Sequence, residues 1–156
     1  MRLKFLIVLL GLSLITIQSI IAQSIESDKA LITSIINQMF EGMKAGDSSL
    51  VSKALSDDAK LQTVNYHKNQ ISLTHVDKLQ FLEAIATPHR EVWDERVGKF
   101  EVIIDDRFAT VWAPYQFYRG ENFSHCGINS FLLYQTDKGW KIFQITDTRR
   151  QTRCPK

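Results

Sequence analysis

Apolar residues recur at three- and four-residue spacing over Ile32, Ile35, Ile36, Met39, Phe40 and Met43, the period of an amphipathic helix with one buried stripe. Asp28 stands where an N-cap is wanted and Gly46 where a helix stops. A shorter second helix follows, capped by Asp47, with Leu50, Val51, Ala54 and Leu55 on its buried side. AKLQTVNY, residues 59–66, alternates as a strand does, and KNQISL reads as a turn and a short strand. In THVDKLQFLEAIATPH, Thr74 and Asp77 have capping-box spacing, Val76, Leu79, Leu82 and Ile85 share a face, and Pro88 closes a third helix.

Beyond this point the period becomes two. Val97 to Ile104, Phe108 to Tyr118, Phe123 to Gln135 and Trp140 to Arg150 read as strands, separated by turn signals at Asp105-Asp106, Gly120-Glu121-Asn122 and Asp137-Lys138-Gly139. Short connections predict antiparallel neighbours. The fold class is therefore α+β, with helices gathered on one face of a long antiparallel meander. Trp140, Ile142, Phe143 and Ile145 place bulk on both parities of one strand, whereas a half-exposed sheet shows polar residues on one. Both faces are expected to be covered, one by the helices and the other by a second subunit.

Composition changes the picture at the N-terminus. Arg2 and Lys4 precede an apolar run from Phe5 to Ile17, then Gln18-Ser19 and small Ala22. This is the order of a secretory signal peptide over residues 1–22, leaving residues 23–156 as a single domain. No cysteine lies near the cut, which argues against a lipoprotein. Without Arg2 and Lys4 the chain carries 17 Lys+Arg against 17 Asp+Glu. That balance offers no electrostatic footprint for nucleic acid, and no membrane association is expected after cleavage. The expected location is exported, periplasmic or secreted. Cys126 and Cys154 allow one bridge in such a compartment, but spacing alone does not decide it.

The candidate chemistry lies in RGENFSHCGINSF, residues 119–131. Neighbouring side chains on a strand point to opposite faces, so His125 and Cys126 do not form a dyad or a metal-ligand pair. If Gly120-Glu121-Asn122 and Asp137-Lys138-Gly139 are three-residue loops, Phe117 lies opposite His125, Tyr115 opposite Gly127, and Asn129 opposite Asp147. Gly127, which then also faces Arg149, leaves room for the phenol ring. One face collects Tyr115, Phe117, His125, Asn129, Asp147 and Arg149, with Phe131, Leu133, Phe143 and Ile145 as an apolar floor. Tyr66 and His67 are candidates for its rim. A mostly apolar concavity with a few convergent polar groups is the usual form of a small-molecule pocket. The same residues could instead satisfy strand ends, with Asp147 and Arg149 as an ion pair.

The order helix, helix, strands, helix and meander, with VWAPYQFY, FSHCGINSF and GWKIFQITDTRR, resembles the nuclear transport factor 2-like superfamily, and within it small exported bacterial proteins of lumazine-binding or polyketide-cyclase-like type. The resemblance implies a cone, a curved sheet wrapped on long helices with a cavity at one end, and a dimer across the outer sheet face. It does not imply one activity.

Three functions follow as expectations. The first is binding of a small, largely apolar molecule by an exported homodimer, with Tyr115, His125 and Asn129 giving hydrogen bonds and Phe117 and Phe131 contact area. The second is a cofactor-free lyase or isomerase in which His125 is the general base, Asp147 fixes its tautomer, and Tyr115 or Asn129 stabilises an oxyanion. No paired carboxylates stand out on the shared face. The third is a protein-interaction module with a filled cavity. No metal or cofactor is implied by any of these motifs.

Overall fold

The computed structural model describes the backbone of residues 2–67 and 70–155, with side chains from Gln23 onward except His67. The leader reading for residues 1–22 therefore concerns side chains outside the described residues. In chain order the elements are α1 (Arg2–Ala45), α2 (Ser48–Ala54), β1 (Leu55–His67), β2 (Gln70–Val76), α3 (Lys78–Ala86), β3 (Trp93–Val97), β4 (Glu101–Asp105), β5 (Phe108–Arg119), β6 (Asn122–Thr136) and β7 (Gly139–Arg149). The α+β class and the cone architecture hold.

α1 buries Ile32, Ile36, Met39 and Phe40, as its periodicity requires. It does not begin at Asp28. That carboxylate instead accepts from Trp140 Nε1 at 3.1 Å and Gln135 Nε2 at 3.4 Å, tying the helix to the sheet. The helix does stop at Gly46, whose φ of +70° favours glycine. Asp47 N then bonds Gly42 O at 2.8 Å, and the Asp47 side chain caps α2. In α3 the cap is Asp77, while Thr74 lies on β2, so no capping box forms. α3 buries Ile85, with Phe81 and Leu82 partly buried against the core. Leu79 and Val76, expected on its buried face, are exposed.

The sheet runs β2-β1-β7-β6-β5-β3, with β4 also on β5. It is not antiparallel throughout, because β1 pairs with β7 in parallel and joins the first strand to the last. The expected strand from Val97 to Ile104 is two. Gly98 N donates to Pro114 O at 2.8 Å, and the chain gains one residue between the Val97–Tyr115 and Glu101–Trp112 pairs. Inward positions consequently change from Trp93, Glu95 and Val97 to Val102 and Ile104.

Both long hairpins turn more tightly than expected. Arg119 pairs with Asn122 and Thr136 with Gly139, so each turn holds two residues. Each hairpin then recovers the missing residue in a bulge, between Phe117 and Tyr118 on the β5 side of one and between Leu132 and Leu133 on the β6 side of the other. A bulge restores one residue of register, so Tyr115 faces Gly127, Phe117 faces His125 and Asn129 faces Asp147. The second bulge corrects the floor. Ile142, fully buried, lies opposite Leu133, whereas Phe143 turns to the outer face against Phe108 and Tyr134.

Cys126 and Cys154 are disulfide-bonded with Cα atoms 5.6 Å apart. The bridge lies behind the sheet from His125 and holds the tail after β7 against β6.

Candidate functional site

The strand register arranges the concave face in rows. Leu61, Ile145, Phe131 and Val111 form an apolar row across β1, β7, β6 and β5. The next inward-facing row holds Thr63, Asp147, Asn129 and Ala113. Then come Gly127 and Tyr115, and beyond them His125, Phe117 and Glu95. Met39, Phe40 and Met43 of α1 and Phe81 of α3 complete the apolar lining. Between the layers is a cavity of about 280 Å³, near the lower limit of about 300 Å³ common for small-molecule pockets.

Tyr115, Phe117, His125, Asn129, Phe131, Asp147 and Arg149 all line this space. Tyr66 is exposed on the β1–β2 ribbon, and the side chain of His67 lies outside the described residues. Among the described residues, no three His, Cys, Asp or Glu side chains converge as metal ligands.

Asp147 is the hub of the polar belt. Its Oδ1 accepts from Thr63 Oγ1 at 2.5 Å, and its Oδ2 accepts from Tyr115 OH at 3.0 Å and from Arg149 Nε at 2.8 Å. Tyr115 OH also lies 2.9 Å from Thr148 O. Gly127 makes this reach sterically open. A Cβ there would stand 1.7 Å from Thr148 O and 2.9 Å from Tyr115 Cε1. Burial, with Asp147 nearby, drives the Tyr115 pKa far up and keeps the phenol protonated.

Asp147 does not orient His125. The imidazole Nδ1 is 3.1 Å from Ser124 Oγ, while the ring stacks on Phe117 at 5.0 Å and meets Tyr115 edge-on at 5.8 Å. Burial, then the charges of Arg149 and Arg119, push the His125 pKa down to about 4, against the pull of Asp147. His125 is thus neutral at physiological pH.

A second carboxylate, absent from the sequence expectation, enters from β3. Glu95 Oε1 accepts from Asn129 Nδ2 at 2.6 Å. Burial raises its pKa to about 7, Asp147 adds to the rise, and the Asn129 hydrogen bond and Arg149 oppose it. The cavity therefore does contain two carboxyl groups in different settings. Trp93, which also faces inward, stacks on His89 at 3.7 Å and meets Phe117 edge-on at 6.2 Å. The inward alternation of Trp93, Glu95 and Val97 was the signal that could have found this strand; the break at Gly98 obscured it.

No family model matches the sequence, and no curated protein matches it. Solved structures do. The chain is similar to a nuclear transport factor 2-like protein with a cystatin-like fold from Novosphingobium aromaticivorans, at 14% identity and a TM-score of 0.70, over 84% of this chain and 87% of that one. It is also similar to a nuclear transport factor 2-like protein of unknown function from Shewanella baltica, at 16% identity and a TM-score of 0.62, over 81% and 96% of the two chains. A third, also of unknown function, from Silicibacter pomeroyi, gives 11% identity and a TM-score of 0.58 over 80% and 98%. Identities this low speak for the fold and not for an activity. The chain thus shares the fold of nuclear transport factor 2-like proteins.

Proposed function

We propose that the chain holds a small, largely apolar molecule in the cavity, outside the cytoplasm and as a homodimer. The observation that carries the reading is the meeting of two kinds of surface in one space. Met39, Phe40, Met43, Phe81, Phe131 and Ile145 supply apolar walls, and one end carries a hydrogen-bonded belt centred on Asp147. Such a wall favours apolar bulk by roughly 25 cal/mol per Å² removed from water, while the belt fixes orientation.

Export is supported by the basic-then-apolar order of residues 1–22 and by the Cys126–Cys154 bridge, since disulfides persist in oxidising compartments. Dimerisation is supported by Ile103, Phe108 and Trp112, large apolar side chains exposed on the outer sheet face.

Native and denaturing mass spectrometry of the protein purified from its own compartment tests the reading. Added mass in the native spectrum alone is expected, along with a dimer and a first residue near Gln23. An empty protein that also fails to bind a panel of small apolar compounds would sink it.

Glu95 favours a second reading, cofactor-free proton transfer. A carboxyl that titrates near neutrality in a partly dry cavity is suited to acid–base work, more so than an imidazole held near 4. Elimination of the activated probe 5-nitrobenzisoxazole should then follow a titration near pH 7 that is absent in Glu95→Gln. A rate equal to that in buffer counts against it.

A further inference from the structure

We propose that the molecule held in the cavity is an amphipathic anion, an apolar body bearing one carboxylate or similar oxyanion, whose head is taken by Arg119 and Arg149. The inference rests on the cavity reading above and specifies the ligand class.

The strand register gives the cavity a direction. Leu61, Ile145 and Phe131 mark its apolar end. Toward the ends of β5 and β7, Arg119 and Arg149 line the same space on either side of His125 on β6. Trp93 and Phe117 also line this second end, so a polar head there would sit against aromatic walls, with apolar bulk at the first end.

The charges at that second end are unequally occupied. Asp147 already accepts three hydrogen bonds, from Thr63 on one oxygen and from Tyr115 and Arg149 on the other, and one of these partners is itself a cation. Arg149 gives Asp147 only its Nε, and its side chain is 51% exposed. Its two terminal amino groups make no hydrogen bond among the described residues and remain for a ligand. Arg119 likewise has no ion pair among the described residues. Both guanidiniums act on His125 against its protonation, which places their positive potential at the imidazole between them.

Glu95 is the opposing group, the acid that could favour a cationic head instead. Its burial works against its ionised form, and one oxygen already accepts from Asn129. An anion in the field of Arg119 and Arg149 would further favour the neutral acid. Guanidinium forks fit planar oxyanions in a way that point charges do not, and both guanidiniums belong to residues that line this one cavity.

Titration calorimetry on the full mature chain tests this with three probes on one skeleton: 4-phenylbutanoate, 4-phenylbutanamide and 4-phenylbutylamine. The carboxylate is expected to bind at least about tenfold more tightly than the amide, the scale of a charge-assisted hydrogen bond. That advantage, read as the ratio of carboxylate to amide affinity within each variant, should shrink to within about threefold in Arg119→Gln and in Arg149→Gln. Arg119→Gln is the cleaner variant, because Arg149 also supports Asp147. Equal or tighter binding of the amide or amine overturns the anion inference and leaves the cavity reading intact. A carboxylate preference untouched by either variant overturns the assignment to these arginines. Binding of none of the three counts against both readings.

Discussion

Asn129 Nδ2 donates to Glu95 Oε1 at 2.6 Å, joining β6 to an edge strand 34 positions earlier in the chain. This contact brings a second acid to the side of the cavity where Asp147 already sits. The two carboxyls are supported differently. Asp147 is met by a hydroxyl, a phenol and a guanidinium, whereas Glu95 has one amide and a desolvating pocket.

The contrast predicts opposing pH dependences. Folded Glu95 keeps its proton up to about 7, while the unfolded chain releases it near 4.5. Between those values the folded state binds more protons, so stability falls as pH rises, by up to roughly 3 kcal/mol. His125 acts in reverse. It stays neutral down to about 4, while the unfolded residue protonates near 6.5, so stability falls as pH falls through that window. The two slopes oppose one another in the wild type between about 4.5 and 6.5. Melting temperatures of Glu95→Gln should fall from pH 6.5 toward 4, and those of His125→Gln should fall from pH 4.5 toward 7. Parallel profiles for the two variants would show that these groups do not titrate as described.

Close approach at Gly127 predicts an unusually costly methyl group. Gly127→Ala puts a Cβ 1.7 Å from a backbone carbonyl oxygen, which a rotamer change cannot relieve. The loss should exceed the usual ~1–3 kcal/mol of overpacking and should disturb Tyr115. Urea denaturation and near-ultraviolet circular dichroism read both effects. A loss below about 1 kcal/mol would mean that β7 moves aside easily.

Much of this site was legible in sequence because two departures cancelled. Three-residue turns were expected at both hairpins; the chain makes two-residue turns and then adds a bulge in each. Past the bulge the register is the expected one, which is why Tyr115, Phe117, His125, Asn129, Asp147 and Arg149 share a face. Between turn and bulge it differs, and Phe143 is the inserted residue itself, unpaired between Ile142 and Gln144 and turned to the outer side. Glu95 was lost for a related reason. The added residue near Gly98 changes which parity points inward, so no single alternation runs from Trp93 to Asp105 and Glu95 falls outside the strand expected from Val97. Thr63 and Arg119 carry no pattern of their own; only the β1–β7 pairing and the length of β5 bring them in.

The bulge also makes adjacent residues unequal in a measurable way. Ile142 is fully buried opposite Leu133, while Phe143 is half-buried on the outer face beside Phe108 and Tyr134. Ile142→Ala should cost about 2–5 kcal/mol, as truncation of a packed aliphatic does. Phe143→Ala should cost less despite losing more atoms, provided the protein is studied as a monomer. The reverse order in denaturant titrations would return Phe143 to the floor.

The phenol of Tyr115 is the remaining test of the belt. Tyr115→Phe removes the donor to Asp147 Oδ2 and to Thr148 O while leaving the ring in the space above Gly127. Thr63 and Arg149 still satisfy the carboxylate, so the loss should be about 1–2 kcal/mol and not the larger cost of an unpaired buried charge. Asp147→Asn alone should cost more, because it weakens three contacts and leaves Arg149 without its counter-charge. In the double variant the Tyr115 effect should largely vanish, giving a coupling within the range of about 0.5–3 kcal/mol found for residues in one network. Strict additivity would mean that the phenol acts through Thr148 alone, and that Asp147 is held by Thr63 and Arg149 without it.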